Sequence, residues 1–129
     1  MAKILVIDDE PVVLALLEIL LSQQGYDVIL ADGGWKGLEL FRRERPDVVV
    51  LDLKMPELDG VTVLTHLRQL DRTQPVIILT GALAPETEQQ IRTLGVTEIV
   101  EKEFTLNRLG DALTRLLKVL DPVIHTPVS

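Results

Sequence analysis

The chain has 129 residues, a formal charge of −7 and no cysteine, a length that fits one domain with a sizeable core of its own. Without Cys, disulfide scaffolds, thiolate metal centres and Cys nucleophiles are excluded, and two His residues are too few for a multi-histidine metal site. The acidic balance and the 3% aromatic content argue against non-specific nucleic-acid binding and against a base-stacking platform.

Lys3 to Asp8, KILVID, is a short apolar run that ends abruptly in acids. Pro11 can open a helix at its first turn. Val12, Val13, Leu16, Leu17, Leu20 and Leu21 follow with helical period, and Gly25 stops them. Tyr26 to Ala31 is a second apolar run. Trp35, Leu38, Leu40 and Phe41 mark a second helix that breaks before Pro46, with Trp35 read as a packing residue. Asp47 to Asp52, DVVVLD, is a continuous apolar run and again ends in an acid. A turn-rich loop with Pro56, Asp59 and Gly60 comes next. Val61 to Leu70 has a helical apolar face, and His66 falls on its polar side. Gln74 to Thr80 is the fourth apolar run. A helix from Pro85 ends at Gly95, and Val96 to Val100 is the fifth run. Leu106, Leu109, Leu113, Leu116, Leu117 and Leu120 mark a last helix, and residues 121–129, with two prolines, read as a flexible tail or the start of a linker.

Five apolar strands thus alternate with five helices, the pattern of a parallel sheet covered on both faces. Met1 to Glu10 carries one Lys and then three acids, which does not read as a signal peptide. No apolar run approaches the roughly 18–20 residues needed to span a bilayer. The expectation is a cytoplasmic protein with no membrane partner.

In open α/β sheets, ligands bind beyond the carboxyl ends of the strands. That rule selects Asp8, Asp9 and Glu10 after the first strand, Asp52 after the third, Thr80 at the end of the fourth and Lys102 after the fifth. A carboxylate cluster repels itself unless a cation neutralises it. Hard oxygen ligands suit Mg²⁺. An aspartate can act as a nucleophile and become an acyl phosphate, and in phosphoryl transfer the protein supplies positioning and charge neutralisation. Mg²⁺, Lys102 and the Thr80 hydroxyl are suited to the three equatorial oxygens. Each residue taken alone has a plainer reading: a helix cap for Asp8 and Asp9, a solvated loop acid for Asp52, a strand-end hydroxyl for Thr80 and a surface charge for Lys102. Their coincidence at the ends of different strands favours one site.

The motifs ILVIDDEP (Ile4 to Pro11), VVVLDLKMPELDG (Val48 to Gly60), IILTG (Ile77 to Gly81) and the Lys of VEKEF (Val100 to Phe104) resemble the receiver domain of two-component response regulators. The resemblance runs from Lys3 to about Leu120, giving a receiver domain over 3–120. It implies a flavodoxin-like, doubly wound (βα)5 fold with sheet order 2-1-3-4-5. It implies that Asp52 accepts a phosphoryl group from a sensor histidine kinase or a histidine phosphotransfer protein. It further implies that Asp8, Asp9, Asp52 and the Lys54 backbone carbonyl hold Mg²⁺, that Thr80 bonds the phosphoryl oxygen, and that Lys102 pairs with the phosphate. The implied protein is a signalling domain whose phosphotransfer chemistry acts on itself only. The face of the fourth helix, fifth strand and fifth helix is where such domains dimerise or dock an effector.

Two positions depart from the family pattern. Ile99 replaces the aromatic three residues before the active Lys, and Glu103 replaces the Pro after it. Ile99 is expected to pack among aliphatic side chains, leaving the loop from Gly81 to Pro85 to couple Thr80 to the surface. A trans Lys102–Glu103 bond is expected, because cis costs about 2.5–4 kcal/mol before a residue other than proline. Three rival readings fit the residues less well. An aspartate-nucleophile phosphatase of the haloacid-dehalogenase type wants a second Asp where Lys54 stands. A flavodoxin-like cofactor module wants an uncharged phosphate loop where Asp8, Asp9 and Glu10 stand. A degenerate receiver that only binds partners is disfavoured by intact Asp52, Thr80 and Lys102.

Overall fold

A computed structural model describes residues 2–101 and 106–124. The elements in chain order are β1 (Lys3–Ile7), α1 (Pro11–Gln23), β2 (Asp27–Ala31), α2 (Gly34–Glu44), β3 (Val48–Leu51), α3 (Gly60–Leu70), β4 (Val76–Thr80), α4 (Pro85–Leu94), β5 (Glu98–Glu101) and α5 (Leu106–Ile124). All strand pairs are parallel, and the order is β2-β1-β3-β4-β5. This is the doubly wound arrangement expected from the sequence. Lys102, Glu103 and the peptide bond between them, Phe104 and His125 lie outside the described residues.

The central strands β1, β3 and β4 are almost wholly apolar because both of their faces are covered, while the edge strands β2 and β5 carry exposed acids at Asp27, Glu98 and Glu101. Successive side chains point to opposite faces of a sheet, so each central strand serves two cores. Leu5, Ile7, Val49, Leu51, Val76 and Ile78 pack with α2, α3 and α4 on one face. Ile4, Val6, Val48, Val50, Ile77 and Leu79 pack with α1 and with Leu116 and Leu120 of α5 on the other. Each fully buried aliphatic side chain of this size contributes about 1.5–3 kcal/mol.

Four expectations need correcting. In α1 the inward residues are Val13, Leu14, Leu17 and Leu21, while Val12 is exposed. That helix is apolar nearly all round, so its sequence does not fix which stripe turns inward. Trp35 is 60% exposed, not a packing residue. It is the second residue of α2, whose buried side is taken by Gly34, Gly37, Leu38, Leu40 and Phe41. β5 begins at Glu98, not Val96, because Gly95 turns the chain at φ +96° and Thr97 N–H donates to the Val76 carbonyl at 2.8 Å. Finally, α5 continues four residues past the expected boundary at 120, through Pro122 to Ile124. Val123 and Ile124 pack on the second core beside Tyr26. The helix thus keeps its course past Pro122, with these two side chains packed on the core, although proline removes a backbone hydrogen bond.

Candidate functional site

The parallel ladder extends one residue beyond β1 and β3. Asp8 N–H donates to the Ala31 carbonyl at 3.1 Å, and Asp52 N–H donates to the Ile7 carbonyl at 2.9 Å. These bonds set both aspartates at the carboxyl edge of the sheet, on adjacent central strands. Each is 2% exposed. Asp9 and Glu10 follow on the turn into α1 and are half-buried. Pro11, at the helix start, lacks an N–H to satisfy. The Glu10 N–H donates to Asp8 Oδ1 at 2.9 Å, which holds the Asp8 carboxylate inward.

Carboxylate oxygens of Asp8, Asp9, Glu10 and Asp52 lie within 4.8 Å of one another. Like charges this close destabilise each other in a partly dry setting. A hard divalent cation bound by oxygen removes that penalty, and the donor set suits Mg²⁺. Three of these four carboxylates are the metal ligands expected from sequence. Glu10 joins them, and the run of acids after β1 was the signal for it.

Thr80 closes β4 and is 1% exposed. Its hydroxyl donates to Asp52 Oδ1 at 3.1 Å, and the Lys54 N–H donates to the same oxygen at 3.3 Å. The sequence therefore brings Asp8, Asp9, Asp52 and Thr80 together, with the Lys54 backbone beside them. Of the expected ligand at Lys54 only the N–H bond is seen. β5 ends at Glu101, which pairs with Thr80; Lys102 lies outside the described residues. An open cavity of about 760 Å³ adjoins the site on the α3–α4 side, lined by Lys54, Asp59, Thr80, Ala82, Thr87 and Gln90 among others. Ile99 packs against the core shared by α2, α3 and α4, among aliphatic side chains as expected.

The arrangement can hold a cation against a buried carboxylate, with a hydroxyl at the same carboxylate and open space beside it. Residues 4–114 match the family described as response regulator receiver domain. The chain is 40% identical over 119 residues to the probable transcriptional regulator ycf27 of Porphyridium aerugineum, covering 92% of this chain and 49% of that protein. It is 32% identical over 115 residues to sporulation initiation phosphotransferase F of Bacillus subtilis, covering 89% of this chain and 93% of the relative. Among solved structures, the non-phosphorylated HemR receiver domain of Leptospira biflexa superposes with a TM-score of 0.86 at 25% identity, covering 100% of this chain and 98% of that one. The chain thus spans nearly all of one relative and about half of another. A doubly wound sheet, an acidic cluster at its switch point and a family match over most of the sequence converge on one conclusion: the chain belongs to the receiver domains of two-component response regulators.

Proposed function

We propose that Asp52 is the phosphoacceptor and that the domain takes its phosphoryl group from a phosphohistidine on a sensor kinase or phosphotransfer protein. The observation that carries this reading is the buried Asp52 carboxylate, set within 4.8 Å of three other carboxylates and hydrogen-bonded to Thr80. A carboxylate oxygen of Asp52 attacks phosphorus, the new O–P bond forms, and the N–P bond breaks with its electron pair leaving on the imidazole nitrogen. Asp8, Asp9 and Asp52, with the Lys54 carbonyl, would hold Mg²⁺, which when bound neutralises charge on the transferring group. Thr80 then gives up its bond to Asp52 and donates to a phosphoryl oxygen, and Lys102 pairs with the phosphate. Hydrolysis of the acyl phosphate returns the domain to its resting state, so its chemistry is confined to itself.

The Bacillus relative is named as a phosphotransferase, which agrees with a place in a phosphorelay. The relative from Porphyridium is about twice as long and is named as a transcriptional regulator, which supports an output through an effector domain. The α4–β5–α5 face is the proposed contact for that effector or for a second copy. The domain is taken to extend to Ile124, since Val123 and Ile124 share its core. No helix among the described residues is long and apolar enough to cross a membrane, in keeping with a cytoplasmic site of action. Incubation with acetyl phosphate and Mg²⁺ should add one phosphoryl group by intact mass. An Asp52→Asn protein that gains it at the wild-type rate would falsify the assignment.

A further inference from the structure

The segment 53–59, between β3 and α3, carries the Lys54 N–H that bonds Asp52 Oδ1, and it is gripped at both ends by glycines. At its near end, Gly60 N–H donates to the Leu53 carbonyl at 2.9 Å. A Cβ on Gly60 would overlap the Asp52 carbonyl oxygen and stand 2.5 Å from Leu53 Cα. Both are backbone atoms, so no rotamer change makes room. At the far end, a Cβ on Gly34, the first residue of α2, would stand 2.9 Å from both Leu58 Cβ and the Leu58 carbonyl oxygen, and 2.8 Å from Val63 Cγ2. Neither glycine has a positive φ, so space and not backbone conformation requires them.

We infer that Gly60, assisted by Gly34, is a positioning residue for the phosphoryl acceptor: the bare α-carbon lets α3 seat directly on the Asp52–Leu53 peptide, which fixes the Lys54 backbone and through it the Asp52 carboxylate. The inference rests on Asp52 as acceptor and deepens that reading. Gly60 touches no reacting atom. It acts through the backbone of the residue that does. A displacement of about 1 Å at a reacting group costs up to about a hundredfold in rate, and a Cβ at Gly60 must move either α3 or the acceptor peptide.

The test compares the full chain with Gly60→Ala, Gly34→Ala, Asp52→Asn and Leu120→Ala. Leu120 lies in the core on the opposite face of the sheet, so Leu120→Ala lowers stability without touching the segment. Three readouts are taken at a temperature where each variant is folded: the Lys54 amide resonance, Mg²⁺ affinity by NMR titration, and the rate of phosphorylation by acetyl phosphate. Gly60→Ala is expected to move the Lys54 resonance, weaken Mg²⁺ binding and slow phosphorylation by about tenfold or more, while Leu120→Ala leaves all three unchanged. A folded Gly60→Ala with wild-type values, or an equal loss in Leu120→Ala, overturns the inference. If Gly60→Ala does not fold, Gly34→Ala decides by the same criteria. A wild-type chain that takes no phosphoryl group, or an Asp52→Asn chain that does, sinks the acceptor assignment instead; the Lys54 resonance and Mg²⁺ titration then decide the positioning role by themselves.

Discussion

At the scale of single residues, the site is a balance between carboxylate repulsion and the bonds that offset it. Asp8 has the Glu10 N–H, and Asp52 has the Thr80 hydroxyl and the Lys54 N–H. Asp9 adds charge to the same cluster from a half-buried position. Removing that charge relieves repulsion but also removes a cation ligand. Asp9→Asn should therefore raise the melting temperature in EDTA and abolish the rise that Mg²⁺ gives the wild-type chain. A ligand at a hundred times its Kd stabilises by about 2.7 kcal/mol, so the wild-type response is large enough to read by thermal denaturation. An Asp9→Asn protein less stable than wild type in EDTA, or stabilised equally by Mg²⁺, would contradict this account. Asp8, Asp9, Asp52 and Thr80 were legible in the sequence because each stands at or just past the end of a strand in a fold whose strand ends converge. Gly60 was legible only as a turn residue. Its contact with the Asp52 carbonyl depends on how α3 settles against β3, which no local pattern encodes.

Among the elements, α3 has a side-chain cap. Asp59 Oδ1 accepts from the Thr62 N–H at 2.9 Å and from the Thr62 hydroxyl at 3.2 Å. Asp59→Ala should cost about 1 kcal/mol in urea denaturation, the usual loss for such a cap. Leaving the denaturation midpoint unchanged would mean that core packing alone holds the first turn. At the other end of the helix, Asp71 accepts from the Thr73 N–H at 2.8 Å and its hydroxyl at 2.9 Å. Chiefly these bonds, with the Gln74 N–H and nearby Arg68, hold its carboxyl below the ordinary carboxylate value. A depressed pKa stabilises the fold above the unfolded value and loses that contribution as pH falls through the folded one. The stability gap between wild type and Asp71→Ala should therefore shrink as pH is lowered from about 6 to about 3. A gap that widens on acidification would show the sign to be wrong. Arg68 also spans elements: its Nε and Nη2 donate to the Gly95 carbonyl at 3.1 and 2.8 Å, tying α3 to the turn between α4 and β5.

For the molecule as a whole, the two cores share one sheet, and the end of α5 belongs to the second of them. Val123 and Ile124 pack on it near Tyr26. Burial, and then the Asp121 charge, raise the Tyr26 pKa above its ordinary value. A chain ended after Leu120 should lose roughly 1–2 kcal/mol, from two half-buried aliphatic side chains. Equal urea midpoints for the shortened and full chains would return residues 121–124 to the role of a tail. The sequence by itself determined the five-fold alternation of strand and helix, the parallel sheet and the carboxyl-edge site. Continuous apolar runs ending in acids can be satisfied by little else, since both sheet faces need cover and charges need the rim. Tertiary structure alone decided the inward stripe of α1, the exposure of Trp35, the start of β5 and the run of α5 through Pro122. For α1, Trp35 and β5 local preference was nearly neutral, and at Pro122 it opposed the helix; what settled each was contact between segments distant in the chain, which no local pattern encodes.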